Sequence, residues 1–301
     1  MTSPKVTLLA SPKNPDSLAL VSAAARLCRR PDSIKRLVDE PISINEQTKL
    51  FNAVMEAGHW SCLRHAVFVF GVEGVSRSES HQHVRHGIGH SYEQQSQHFI
   101  CEKKGTDLRH AELNHLDKVR AHGKKLGDTP EQLEERVQDV LREYEDAVEF
   151  SKRAYDNMVM LGLPHHEARQ ALPNGAETRF IWTANLEAIL NFVTKRACRV
   201  NTAEIYEVAT QVRDIVKKEV PLLESWLGPT CYTRGVCYEG VKRYQSECGK
   251  PWGGQTVLWT PQFPREMLVV SAKGYQRIKP KANLTAITTL PYPIKDEEVE
   301  G

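Results

Sequence analysis

Apolar positions in the first quarter of the chain follow two different periods, which predicts a mixture of strands and helices. A β-branched run is followed by apolar residues at helical spacing. A second helical pattern lies between Ser43, a favourable N-cap, and Gly58 at the stop position. The next run is rich in valine and phenylalanine, which is typical of a strand. The predicted elements are strands at residues 6–10 and 66–72 and helices at residues 17–28 and 45–57.

Helical patterns dominate the rest of the chain until it becomes rich in glycine and proline. Residues 76–86 are polar and contain no helix breaker. Residues 116–161 hold long helical stretches, the second starting at Pro130. We therefore predict an α+β fold, with a main domain over residues 1–250 and a proline-rich extended arm over residues 251–301. Further elements are expected as a strand at 179–183 and helices at 185–196 and 202–220.

The composition of the 301-residue chain is that of an ordinary globular protein. Hydrophobic residues make up 40% and charged residues 26%, and the formal net charge of +2 gives no indication of a nucleic-acid or membrane-surface partner. No apolar run approaches the roughly 20 residues that cross a bilayer, and we find no secretory signal. The seven cysteines are expected to be reduced. We expect a cytoplasmic protein.

The stretch from residue 58 to residue 100 carries the densest set of hydrogen-bonding side chains. Gly87 and Gly89 interrupt it close to an arginine, an arrangement that suits an anion such as a phosphate because the guanidinium offers a planar fork. The alternative is a solvated surface loop. The polar side chains concerned are Arg77, Arg85, Ser91, Gln94, Gln95, Ser96 and Gln97.

Two successive blocks of the sequence resemble the flavin-dependent thymidylate synthases. The first block holds a lead-in that ends at His65, a Glu-Gly-Val-Ser-Arg turn that ends at Arg77, and then Arg85-His86. Eight residues separate Gly87 from Ser96, which closes the signature. The second block comprises the sequences EARQALP at 167–173, TRFIWT at 178–183 and NFVTKR at 191–196.

The resemblance implies both an architecture and a reaction. It implies a central antiparallel sheet with helices, in a homotetramer whose active sites lie between subunits. It implies FAD as cofactor, methylenetetrahydrofolate as one-carbon donor and NADPH as reductant, in the C5 methylation of a uridine 5′-monophosphate. A cofactor that carries the hydride chemistry leaves binding and polarisation of the pyrimidine to the protein. No cysteine nucleophile is implied.

The resemblance also implies roles for individual residues. Arg196 matches the arginine that contacts uracil, where it would stabilise negative charge on a carbonyl as C5 becomes nucleophilic. Its alternative role is that of a cation at the C-terminal end of a helix dipole. The implied nucleotide contacts are Gln82, Gln94, Gln95, Ser96, Arg169 and Arg196, and the implied flavin contacts are His65, Arg85, His86, Asn185 and Asn191.

Several positions depart from the family pattern around the nucleotide and the flavin. Gly87 replaces the second arginine of Arg-His-Arg, and His98-Phe99 replaces the usual Arg-Tyr. Arg64 and Val200 replace a glutamate and a basic residue. These changes affect substrate identity more than fold, and they lead us to expect that UMP is accepted as well as dUMP. The chain is similar in this respect to uridylate methylases of polyoxin-type nucleoside antibiotic pathways.

Two side-chain clusters offer alternatives to this interpretation. A metal hydrolase could use closely spaced histidines, although the glycines between them weaken a helical ligand face, and we predict no catalytic metal. Four cysteines could bind structural zinc or remain buried thiols, since they lack a tight C-x-x-C pair. A third hypothesis is a non-catalytic nucleotide-binding relative. The histidines are His81, His83, His86 and His90, and the cysteines are Cys198, Cys231, Cys237 and Cys248.

Overall fold

A computed structural model describes most of the chain and confirms the mixture of helix and antiparallel sheet. The chain divides into two units, one built from residues 1–9 and 69–183 and the other from residues 10–68 and 184–301. Among the described residues, no helix is both long enough and apolar enough to cross a membrane. The described residues are 1–12, 16–40, 42–100, 108–239, 248, 256–258, 267–271 and 274–278.

The first unit is organised by a four-stranded sheet in the order β1-β2-β4-β3. Phe70 and Trp182 pack in its core with ring centroids 5.0 Å apart. Gly74 has φ of +70°, and a Cβ there would lie 2.2 Å from the carbonyl oxygen of Ser3, so only glycine fits. The strands are β1 (Lys5–Ala10), β2 (Val67–Ser76), β3 (His90–Gln94) and β4 (Glu177–Asn185).

The helices of the first unit include one that is 31 residues long. Thr129 and Gln132 form a capping box at its start, with Pro130 in the first turn as predicted. Near its centre the hydroxyl of Tyr144 donates to the carbonyl oxygen of Ala111 across 3.1 Å, which ties the helix to the segment before residue 116. The helices are α4 (Arg77–His83), α5 (Leu116–Leu126), α6 (Pro130–Met160) and α7 (His165–Ala168), and a 3-10 turn follows at Arg169–Ala171.

The second unit is mainly helical. Ser43 and Glu46 form a capping box, which confirms Ser43 as an N-cap. The central helix begins at an N-cap formed by Asn185 and buries Ile189 and Phe192 completely. The helices are α1 (Asp16–Leu27), α2 (Ile34–Asp39), α3 (Ile44–Glu56), α8 (Leu186–Arg196), α9 (Ala203–Glu219) and α10 (Thr230–Thr233), with 3-10 helices at Trp60–His65 and Pro221–Trp226.

Two parts of the chain differ from the sequence prediction. In the C-terminal segment, residues 256–258, 267–271 and 274–278 form strands that the sequence pattern did not predict, and the last two of these strands pair antiparallel. Residues 90–94, predicted within a loop, form β3. The remaining residues of the 251–301 segment lie outside the described residues. The second sheet has the order β5-β6-β7-β8, with β5 at Val236–Cys237, β6 at Thr256–Leu258, β7 at Met267–Ser271 and β8 at Gly274–Ile278.

Candidate functional site

Helix α4 supplies a buried polar pair on its inner side. The Ser76 hydroxyl accepts from the backbone N–H of Glu79 across 3.0 Å and so caps the helix. Glu79 and His83 are one turn apart, and the carboxylate lies 3.0 Å from Nδ1 of the imidazole. Both side chains are buried, which is tolerated because they hydrogen-bond each other.

Aromatic rings surround the His83 imidazole. The ring centroids of Phe180 and Trp182 lie 5.0 Å and 4.6 Å away, both edge-on. Trp182 Nε1 donates to Nδ1 of His90 across 2.9 Å. Burial, and secondarily the nearby His83, lower the pKa of His90 to about 4. His90 is therefore neutral at pH 7, and because its Nδ1 accepts, its ring hydrogen is on Nε2.

The turn that follows α4 is held by one tyrosine. The hydroxyl of Tyr92 donates to the carbonyl oxygens of His83 and His86 at 3.1 and 2.8 Å. Burial raises the pKa of Tyr92, so the hydroxyl remains a donor. On the outer side of this turn, Arg85 is exposed and makes no ion pair with any carboxylate in the described part of the chain. The backbone of the turn is therefore fixed, and Arg85 extends from it into solvent.

The end of β3 and the turn after it carry three of the predicted nucleotide contacts, Gln94, Gln95 and Ser96. The Gln94 amide donates to the hydroxyls of Ser80 and Thr178 at 2.9 and 3.0 Å, so its amide nitrogen is engaged inside the fold. Gln95 is tied to Arg179 through its backbone N–H and its side-chain oxygen. The Ser96 hydroxyl accepts from the backbone N–H of His98 across 3.1 Å, forming a local turn. Gln82 on α4 is half-buried.

Two arginines from distant parts of the sequence come together in this unit. The backbone N–H groups of Arg77 and Ser78 donate to the carbonyl oxygens of Ala176 and Asn174, each across 3.0 Å, which docks the start of α4 against the loop after Arg169. Burial, and then the positive charge of Arg169, lower the pKa of Arg77. Neither guanidinium forms an ion pair with a carboxylate among the residues that the structure describes. Two adjacent cations without an acid are suited to a multivalent anion.

Arg77 was among the polar side chains of the candidate anion-binding stretch, but it was not assigned as a nucleotide contact. The Glu-Gly-Val-Ser-Arg turn that contains it was quoted as part of the resemblance. Its proximity to Arg169 depends on the backbone hydrogen bonds to Ala176 and Asn174, which no local sequence pattern predicts. The available signal was a half-polar helix beginning with an arginine directly after a buried strand.

In the second unit, His65 and Asn191 lie at cavity walls. His65 ends the 3-10 helix Trp60–His65 and borders a cavity of about 180 Å³ whose other walls are apolar. Asn191 is exposed on α8 and borders a separate cavity of about 150 Å³ that also contains Lys195 and Arg234. Next to His65 stands Arg64, which replaces the glutamate of the family pattern. Arg64 forms an ion pair with Glu187.

Arg196 is the last residue of α8, and an asparagine restrains it. Arg196 Nη1 donates to Asn201 Oδ1 across 3.3 Å, while the Asn201 amide donates to the carbonyl oxygens of Lys195 and Cys198 at 2.8 and 2.9 Å. The asparagine side chain thus both caps the end of the helix and orients the guanidinium of Arg196. Sequence inspection missed Asn201, whose only signal is an asparagine just beyond a helix end. The alternative role of Arg196 as a helix-terminal cation is compatible with this position.

Asn185 has a structural task in addition to any ligand role. Its Oδ1 accepts from the backbone N–H of Ala188 across 3.0 Å, as expected of an N-cap. Its amide nitrogen is the part of the side chain that could donate to a ligand.

The thiols of Cys198, Cys231, Cys237 and Cys248 are electrostatic neighbours, whereas the described histidines make separate contacts. Burial raises the pKa of Cys198 and of Cys237 to about 11, which makes these thiols poor nucleophiles at neutral pH. His83 is enclosed with Glu79, whereas His90 is bonded to Trp182. Within the described ranges, no three His, Cys, Asp or Glu side chains are placed to hold a metal ion.

Comparison with known proteins assigns the chain to a family. The family model described as thymidylate synthase complementing protein matches residues 7–222. A flavin-dependent thymidylate synthase of Geobacter sulfurreducens is 35% identical over 238 residues, covering 78% of this chain and 90% of that protein. The corresponding enzyme of Clostridium tetani is 30% identical over 246 residues, covering 82% and 93%. The chain belongs to the flavin-dependent thymidylate synthase family of enzymes.

Proposed function

We propose that this protein methylates C5 of uridine 5′-monophosphates, accepting both dUMP and UMP, with FAD, methylenetetrahydrofolate and NADPH. Family membership supports the reaction class. The observation that carries the nucleotide assignment is the pairing of Arg77 with Arg169, two half-buried cations that lack a described carboxylate partner. A phosphomonoester dianion is the chemical group that such a pair binds best.

The phosphate of the nucleotide is bound, in this proposal, by the two guanidinium groups and by the turn that carries Ser96. The His165 imidazole donates from Nε2 to the carbonyl oxygen of His98 across 2.7 Å, which connects this turn to the helix that precedes Arg169. A bidentate arginine fixes the orientation of the phosphate as well as its charge. Gln82 and Gln95 contact the rest of the nucleotide.

The uracil ring is polarised by Arg196. Charge develops on a uracil carbonyl as C5 becomes nucleophilic, and a donor already oriented before reaction stabilises that charge most effectively. Asn201 supplies the orientation through its bond to the guanidinium. No thiol is required for this step, in agreement with the raised pKa of Cys198.

The residues assigned to the flavin are chemically suited to it. Arg85 is exposed, lies on a turn fixed by Tyr92 and has no described ion-pair partner, as a ligand for a diphosphate requires. Asn191 and the amide nitrogen of Asn185 are hydrogen-bonding groups for the ring system, and His65 borders an apolar cavity. His86 completes the set. When bound, the flavin supplies the hydride.

Acceptance of UMP is inferred from the end of the signature. Phe99 is 82% exposed and lacks the hydroxyl of the usual tyrosine, and His98 is shorter than the usual arginine. A sugar site that loses polar partners and gains room discriminates less against a 2′-hydroxyl. Methylation of UMP would serve nucleoside antibiotic biosynthesis of the polyoxin type, whereas an ordinary dUMP-specific thymidylate synthase is the second candidate.

The assembly proposed is a homotetramer with active sites between subunits. Ile88 is 94% exposed in the turn that carries Arg85, and it stands close in sequence to the exposed Phe99. Large apolar side chains beside a ligand site are what a partner subunit would cover. We propose residues 1–250 as the catalytic domain and residues 251–301 as an extension of it.

Steady-state kinetics with the two nucleotides test the function. We expect kcat/KM for UMP within about tenfold of that for dUMP, since the 2′-hydroxyl meets no excluding group. Phe99→Tyr should lower the UMP constant relative to dUMP, and Phe150→Tyr, at an exposed position on α6, is the matched control. A UMP constant lower by about a thousandfold, roughly 4 kcal/mol, would identify a dUMP-specific enzyme.

A further inference from the structure

A cavity of about 150 Å³ in the second unit combines aromatic walls with two cations. Trp60 and Trp226 line it, and the indole N–H of Trp60 donates to the carbonyl oxygen of Met55 across 3.1 Å, which leaves the ring as the group that can contact a ligand. Lys195 at the end of α8 and Arg234 directly after α10 are exposed and also line the cavity. We call this space the indole cavity.

Neither cation of the indole cavity forms an ion pair with a carboxylate in the described part of the chain. The acid of α8, Glu187, pairs with Arg64. The acid of the 3-10 helix that ends at Trp226, Glu224, pairs with Lys217. An ammonium and a guanidinium beside two indole rings are suited to an aromatic compound that carries carboxylates.

The size and the polar groups of the indole cavity narrow this class of ligand. A cavity on the order of 150 Å³ accepts a single benzene ring. The side chains of Asn191, Thr194 and Thr230 also line it, and they can hydrogen-bond an amide attached to such a ring. The lining therefore fits a benzoyl amide whose carboxylates reach the two cations.

The part of the indole cavity that carries Arg234 lies outside the matched family region. The match to the family model ends at residue 222, so it includes neither Trp226 nor Arg234. The backbone N–H of Arg234 donates to the carbonyl oxygen of Thr230 across 2.9 Å, and the hydroxyl of Thr233 donates to that of Pro229 across 3.4 Å. These bonds fix the backbone from which the guanidinium extends.

We propose that the indole cavity binds the aminobenzoyl-glutamate portion of the reduced folate, with the benzoyl ring against the indoles and the glutamate carboxylates on Lys195 and Arg234. The inference rests on the proposed function, in which methylenetetrahydrofolate is the one-carbon donor and Asn191 contacts the flavin. A donor that acts in the same reaction as the flavin must bind beside it, and Asn191 lines the indole cavity as well.

Steady-state kinetics of the flavin-loaded enzyme test the proposal with two donors, methylenetetrahydrofolate and methylenetetrahydropteroate, which lacks the glutamate. For the wild type we expect a KM at least about tenfold higher for the pteroate donor, since a hydrogen bond to a charged group contributes about that factor to affinity. Arg234→Ala and Lys195→Ala should each raise the KM of the folate donor about tenfold and leave that of the pteroate donor unchanged. Lys218→Ala, at an exposed position on α9, is the control and should change neither.

Direct binding of p-aminobenzoyl-glutamate to the flavin-loaded enzyme needs no turnover. It should quench tryptophan fluorescence and compete with the folate donor. Arg234→Ala should weaken its binding about tenfold, and Arg234→Lys should restore only part of the affinity because the planar fork is lost.

The outcomes separate this inference from the proposed function. Equal KM values for the two donors in the wild type, with methylation intact, would overturn the inference and leave the proposed function standing. A higher KM for NADPH instead of the folate donor in Arg234→Ala would assign the cations to the phosphate of the reductant and would also overturn it. Absence of methylation with either nucleotide would overturn the proposed function. The binding of p-aminobenzoyl-glutamate would then decide the inference, since equal affinity in wild type and Arg234→Ala would overturn it.

Discussion

The inner and outer sides of residues 76–99 use the same kinds of side chain in opposite ways. On the inner side, Glu79 and His83 are buried and bonded to each other, and Gln94 is bonded to Ser80. On the outer side, Arg85 is exposed without a described ion-pair partner. A buried polar group costs free energy unless it is hydrogen-bonded, whereas an exposed cation is hydrated and needs no partner within the protein. The inner side thus stabilises the fold, and the outer side is where we propose that a ligand binds.

The largest expected effect belongs to the inner side. Glu79→Ala removes the carboxylate that bonds Nδ1 of the buried His83 and should lower the free energy of unfolding by about 3 kcal/mol. Urea denaturation measures the change. His81→Ala, at an exposed position of the same helix, should change stability by less than about 0.5 kcal/mol. Equal effects of the two substitutions would remove the distinction between the two sides.

A smaller effect is expected from protonation of His90. Its folded-state pKa of about 4 lies below the ordinary 6.5, so the unfolded state binds the extra proton. The stabilisation is complete above pH 6.5 and is lost as pH falls towards 4, by about 2 kcal/mol after allowance for partial solvent screening. His90→Asn keeps an acceptor for Trp182 without titrating. The stability difference between wild type and this variant should shrink on acidification, and a constant difference would contradict the prediction.

The third effect concerns the paired cations Arg77 and Arg169 and should appear in ligand binding alone. Arg169→Ala should raise the Kd of dUMP by about 10- to 100-fold, since a hydrogen bond to a charged group contributes about 1.5–3 kcal/mol. Arg77→Ala should raise it less, and Arg169→Lys should restore only part of the affinity because the fork is lost. Arg142→Ala on α6 is the control, at an exposed ion pair with Asp139. Loss of thermal stability in the Arg169 variants would instead mark it as structural.

Local patterns predicted most of the fold because helix signals were strong. Capping boxes at Ser43 and Thr129 agree with the predicted helix starts. The helix predicted over residues 76–86 ends earlier, at His83, because the Tyr92 hydroxyl bonds the carbonyl oxygens of the turn that follows. Strand β3 was missed because its inward-facing residues His90, Tyr92 and Gln94 are polar, so the alternation carries no hydrophobic signal.

The candidate site was predictable to the extent that it is local in sequence. The signature residues from Arg85 to Ser96 form one stretch, and the resemblance located them. The proximity of Arg77 to Arg169 could not be predicted, since it depends on backbone hydrogen bonds from α4 to Asn174 and Ala176 in the tertiary fold. Asn201 acts through a helix end rather than through a motif. The C-terminal strands lie in a segment whose prolines obscured the strand pattern.

The stacked arrangement around Trp182 also has an optical consequence. Its indole lies nearly parallel to the rings of His90 and Tyr92, at interplanar angles of 8° and 10°, and its N–H is committed to His90. Chromophores stacked in a rigid, chiral environment couple electronically and give intense near-ultraviolet circular dichroism. Tyr92 also anchors the turn that bears Arg85, so a ligand that shifts the turn alters this coupling. The protein thereby contains its own spectroscopic reporter, read without any label.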